Sequence, residues 1–111
     1  MYAAVFEIKT RFGKEKYLFE GTSAANLLSQ FEEYQDLECL VSMGQMQEKG
    51  NGLQELKKLE DLLDKRGSCN LSMADLEQFA IKISLGTIKC TGTAEGEEAI
   101  LALRKRHPDA M

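Results

Sequence analysis

From Tyr2 to Glu20 the chain alternates as a β-hairpin does. Tyr2, Ala4, Phe6 and Ile8 fall on one side of an extended strand and Ala3, Val5, Glu7 and Lys9 on the other. That pattern predicts a strand with one buried side. Phe12-Gly13-Lys14-Glu15 supplies a turn in which Gly13 is free to take a positive φ, and Lys16 to Glu20 returns with Tyr17 and Phe19 on one face. Gly21 breaks the strand. Thr22 or Ser23 then caps a helix in which Ala24, Leu27, Leu28, Phe31 and Tyr34 recur at helical spacing. A hairpin that runs directly into an amphipathic helix has two apolar faces to bury against each other, which places the chain in the α+β class.

The rest of the chain extends this grammar. Cys39, Val41 and Met43 alternate within a third strand expected over Glu38 to Gln47, bulged near Gly44, and Glu48 to Gly52 reads as a turn. Leu53, Leu56, Leu59, Leu62 and Leu63 mark a second helix, too short for a coiled coil and so expected to pack on the core. Ser68 to Leu71 is the best linker, followed by a short helix with Ser72 as N-cap and Asp75 at N3. Residues 79–85 fit both periods. The β-branched Ile81, Ile83, Thr87, Ile88 and Thr91, with Gly86 between two runs, favour a second hairpin. Thr93 is expected to cap a last helix that buries Ala99, Ile100 and Leu103 and stops before Pro108.

The two hairpins echo each other: Phe6-Glu7-Ile8-Lys9 parallels Phe79-Ala80-Ile81-Lys82, Gly13 parallels Gly86, and Gly21-Thr22 parallels Gly92-Thr93. The shared grammar of turns and caps accounts for this as well as a duplication does. The expectation is one domain over residues 1–111. It holds two ββα units around a central strand and helix, with an antiparallel-rich sheet of about five strands and helices mainly on one face.

Most chemistry is argued against by residue type. At 111 residues the chain is long enough to hold a core without metal or disulfide staples, and its 43% apolar and 29% charged content is that of an ordinary globular protein. No apolar run approaches the ~20 residues of a membrane span, so the cytoplasm is the default compartment. Three cysteines, with no Cys-x-x-Cys pair, read as free thiols; Cys39 and Cys90 are expected to be buried in strands. Cys69, in polar surroundings, lacks a nearby His to activate it. Gly86, Gly92 and Gly96 fit neither phosphate-loop nor dinucleotide spacing, and Glu95, Glu97 and Glu98 would repel a phosphate at that helix start. His107 is the only histidine, so no multi-His metal site or triad is expected. Adjacent acids such as Glu32-Glu33, Glu60-Asp61 and Glu97-Glu98 diverge on a helix and make no dyad. No enzyme and no cofactor is expected.

Charge is the remaining signal. Between Gly21 and Glu48 there is no Lys, Arg or His, whereas Glu32, Glu33, Asp36, Glu38 and Glu48 give that span −5; the whole chain is −4, so the remainder is nearly balanced. The expected function is a non-enzymatic protein–protein interaction module with Glu32, Glu33, Asp36 and Glu38 on a face for a basic partner. An inhibitor occupying the basic channel of a nucleic-acid-binding protein is one form of that role, by analogy of size and charge with small inhibitors of phages and mobile elements. Two alternatives stand beside it. One is self-association, with Lys9, Arg11, Lys14 and Lys16 of the hairpin meeting a neighbour's acidic helix. The other is nucleic-acid binding through the basic tip Arg104, Lys105, Arg106 and His107, against which stand the acidic total and the lack of a known nucleic-acid motif.

Overall fold

A computed structural model describes residues 1–36, 39, 52–67, 70–83 and 86–110. In chain order these form β1 (Tyr2–Thr10), β2 (Gly13–Gly21), α1 (Ala24–Tyr34), α2 (Gly52–Gly67), α3 (Met73–Glu77), β3 (Ala80–Ile83), β4 (Gly86–Glu95) and α4 (Glu97–Arg106). The strands make one antiparallel sheet in the order β2-β1-β4-β3. Pairing of β1 with β4 therefore joins the two hairpins into a single sheet.

The first hairpin is longer and its turn tighter than the sequence predicts. Thr10 pairs with Gly13, so Arg11 and Phe12 alone make the connection and β2 begins at Gly13 rather than Lys16. Continued alternation explains this: Lys14 and Lys16 sit opposite Lys9 and Glu7, and Glu15 opposite Ile8, so each stays in register. At the same end of the sheet, where it pairs with Thr10, Gly86 is obligatory. A Cβ there would lie 1.8 Å from the carbonyl oxygen of Lys9, a backbone atom with no room to yield.

Ser23 caps α1, its hydroxyl accepting from the Asn26 N–H at 3.1 Å. The Gln30 side-chain amide donates to the Glu20 carbonyl at 2.8 Å and pins the helix to β2. In α3, Ser72 and Asp75 form a reciprocal capping box, and the Ser72 N–H and hydroxyl hold the Asp75 carboxyl below its ordinary range.

Two cores lie on opposite faces of the sheet. One joins Ala4, Phe6, Ile8, Tyr17, Phe79, Ile81 and Ile88 to Leu27, Leu28 and Phe31 of α1, Leu59 and Leu62 of α2, and Leu76 of α3. The other, smaller, joins Ala3, Val5 and Ala94 to Ile100 and Leu103 of α4. β1 is consequently buried on both sides, including Glu7 at 7% exposure, not on one side as its alternation suggests. A central strand covered above and below no longer needs a polar face.

The α+β class holds, with a four-stranded sheet among the described residues. The five-stranded sheet with two ββα units does not emerge from them. Most of the expected third strand, Glu38–Gln47, lies outside the described residues; Cys39 is helical and exposed rather than a buried strand thiol. Nor are the two hairpin-and-helix segments equivalent, because α4 packs on the face opposite to α1. Thr93 lies within β4, which runs on to Glu95 to pair with Tyr2. The α4 N-cap is instead Gly96, at φ 89°, and its N–H donates to the Met1 carbonyl at 2.9 Å.

Candidate functional site

The acidic residues singled out from the sequence are only partly gathered. Glu33 and Asp36 are exposed at the end of α1, and Glu32 is half-buried. Asp36 accepts the Cys39 N–H at 3.0 Å, and Glu38 lies outside the described residues. On α2 the exposed acids Glu60, Asp61 and Asp64 are matched by exposed Lys57, Lys58 and Lys65, so the acidic character stays with the end of α1. The basic tip is also divided. Arg104 is paired with Glu20 at 2.6 Å, while Lys105 and Arg106 are exposed. His107 is half-buried, its ring against Gly92, where Nε2 would lie 3.4 Å from an added Cβ; its buried Nδ1 has no hydrogen-bond partner. Burial first, then Lys16 and Arg106, lower its pKa below the ordinary histidine range, against the opposing pull of Asp109 and Glu7.

Of the described thiols, Cys39 is exposed and Cys90 partly buried. Burial, with the Glu77 carboxylate beside it, pushes the Cys90 thiol up to about 11, so it stays protonated at neutral pH. Cys69 lies outside the described residues. No cluster of three or more His, Cys, Asp or Glu suited to a metal is present among the described residues, and no described helix is long and apolar enough to cross a membrane.

What the register does gather is lysine. Residues directly opposite in antiparallel strands share a face. Glu7 is flanked by Lys16 on β2 and Lys89 on β4, Lys9 by Lys14 and Thr87, and Lys82 of β3 lies opposite Thr87. Five lysines from four strands thus share the face on which α4 packs. α4 covers only the end built on Ala3, Val5 and Ala94. Beyond it Lys9, Lys14, Lys82 and Lys89 are exposed. Lys16 is mostly covered, its ammonium 3.5 Å from the Asp109 carboxylate of the turn that follows α4. Lys9 opposite Lys14 is a like-charge pair, which costs stability rather than contributing it. Neighbouring strands stand about 4.8 Å apart, so the ammonium groups form a closely spaced cationic surface.

In the sequence Lys9, Lys14 and Lys16 read only as charges of the first hairpin, and Lys82 and Lys89 carry no role. The signal was present in the strand period: Lys9, Lys14 and Lys16 sit at one parity of the first hairpin, and the echo of Phe6-Glu7-Ile8-Lys9 in Phe79-Ala80-Ile81-Lys82 puts Lys82 at the parity of Lys9. Only the β1–β4 pairing shows that the two parities face the same way.

On the opposite face, Tyr17 donates its hydroxyl to the Glu15 carboxylate and accepts from the Gln35 side-chain amide at 3.2 Å. Burial, then the Glu15 carboxylate, pushes this phenol up to about 12. The native state therefore keeps a proton that the unfolded chain gives up above pH 10, and stability falls as pH rises from 10 towards 12. Urea midpoints should drop over that window in the wild type and drop less in Tyr17→Phe. Equal slopes in the two proteins would refute this assignment.

No protein-family model, curated protein or solved structure matches the chain.

Proposed function

We propose that this protein binds a polyanion, of which nucleic acid is the fitting class, through the lysine face of its sheet. The observation that carries the reading is the convergence of exposed Lys9, Lys14, Lys82 and Lys89 on one face, beside the mostly covered Lys16. Ammonium groups are compact, strongly hydrated point charges suited to phosphate, and releasing condensed counterions from the polymer supplies the affinity. The net charge of −4 does not oppose this. The acids of the helical layer lie across the sheet, about 10 Å or more away, and the Debye length at physiological salt is about 8 Å. Among the described residues, the sheet positions on that face carry Lys, Thr, Glu and small or aliphatic residues but no aromatic ring, so backbone contact without base stacking is expected.

The test is a salt titration of binding to a labelled 20-base-pair duplex and to the matching single strand. For about four lysine contacts, log K should fall with log salt at a slope near −3 to −4 on the duplex, and each Lys→Ala change should reduce that slope by about one. The triple variant Lys9→Glu, Lys14→Glu, Lys89→Glu should lose affinity by about 100-fold or more. No binding by the wild type at about 50 mM salt, where such contacts are strong, would end the reading.

A second reading is favoured by the face at the end of α1, where Glu33 and Asp36 are exposed in a span without a basic residue. That face suits a basic protein, whose encounter it would accelerate. It also suits the lysine face of another copy, which concentration-dependent sedimentation at low salt would detect. Reversal of Glu32, Glu33 and Asp36 to Lys should remove binding of a basic partner and leave the lysine face intact.

A further inference from the structure

A carboxylate that does not belong to the sheet reaches the lysine face. After α4 the chain turns over the sheet through His107–Ala110, closed by the Ala110 N–H donating to the His107 carbonyl at 3.1 Å. Ala110 packs against the smaller core. Between them Asp109 reaches Lys16 at 3.5 Å; its own backbone N–H, then Lys16 and Lys14, hold its carboxyl below the ordinary range. The carboxylate is half-exposed, so it is a replaceable occupant and not a buried structural pair.

We propose that Asp109 occupies a phosphate seat at Lys14 and Lys16, and that a phosphate of the bound polyanion displaces it together with the turn that carries it. This rests on the reading of the lysine face as a polyanion site and adds its regulation. A phosphate oxygen arriving at Lys16 meets the Asp109 carboxylate at the same ammonium, and two anions cannot share it without repulsion. Beyond His107, which stays anchored by its N–H to Leu103 and Arg104 and by its ring against Gly92, the displaced segment is held by Lys16–Asp109, the Ala110 contact and the Ala110 hydrogen bond. Opening costs correspondingly little, and ligand affinity is reduced by the fraction of molecules in which the seat is closed.

The experiment compares Asp109→Asn with Glu98→Gln, which removes one negative charge from the exposed first turn of α4. Both are measured by fluorescence anisotropy on the labelled duplex at low salt. Asp109→Asn is expected to raise affinity by about threefold to tenfold, the range of a coupling of roughly 1 kcal/mol, and Glu98→Gln by much less. In the wild type, hydrogen exchange at the Ala110 amide should accelerate when duplex is bound. Equal effects of the two variants, or an Ala110 amide indifferent to ligand, would overturn the displacement while leaving the lysine face standing. Absence of binding by the wild type and by both variants would overturn both.

Discussion

Phe6→Ala is expected to remove a large share of the stability of the domain. Phe6 is fully buried at the centre of β1, stacked on Phe31 with ring centroids 4.3 Å apart, and in contact with Phe19 at 6.1 Å and Phe79 at 6.3 Å. It therefore ties α1, both edges of the first hairpin and the entry to β3 into one cluster. Removing a buried Phe ring costs about 3–5 kcal/mol through lost transfer energy and the cavity left behind. A domain of this size has about 5–15 kcal/mol in all. Thermal melts should show a fall of about 15–30 °C in Tm. Phe6→Leu keeps most of the volume and should cost about 1–2 kcal/mol. A loss under about 1 kcal/mol for the alanine variant would contradict the packing described, since that range belongs to surface positions.

Leu103→Ala tests the smaller core and should act locally. Leu103 is fully buried, and one of its methyl groups lies over Gly92, where an added Cβ would stand only 2.8 Å away. With Ile100 it is the main apolar anchor of α4 on Ala3, Val5 and Ala94. The expected cost is about 2–4 kcal/mol. Because the sheet separates the two cores, methyl resonances of Ala3, Val5 and Ala94 should move while the rings of Phe6, Phe31 and Phe79 keep their shifts. The turn bearing Asp109 follows α4, so the Lys16 ion pair should loosen as well, and affinity for the duplex should rise if the seat is freed. Global unfolding with simultaneous loss of the aromatic shifts would show instead that the cores are one cooperative unit.

The local elements were legible because their causes are local. Ser23 and Ser72 cap helices through bonds to residues three positions on, and those bonds can be read from spacing alone. The Leu27, Leu28 and Phe31 stripe, and the preference of residues 80–83 for a strand over a helix, follow from period and β-branching. The second helix is likewise present, with Leu59 and Leu62 of its predicted stripe buried.

What alternation could not reveal was how many faces each strand would bury. The same pattern in β1 fits a half-buried edge or a centre strand, and Glu7 reads as solvent-facing until its burial on the side of α4 is seen, whereas Lys9 stays exposed. The start of α4 was misplaced for the same reason. Thr93 is a plausible cap by its chemistry, but the ladder with β1 continues past it to Glu95, and backbone hydrogen bonds outweigh a single side-chain cap.

Charge divided along the same line. The acidic stretch after Gly21 is contiguous in sequence and so was visible as a run, whereas the lysines that converge on the open face come from positions 9 to 89. By itself the sequence determined the hairpins, the helical stripes, two of the caps and the acid-rich span, all set by neighbours within a few residues. Only tertiary structure decided that β1 pairs with β4, that α4 crosses to the far side, and that five lysines meet there. Long-range strand pairing depends on which faces find apolar cover, and no local pattern encodes that.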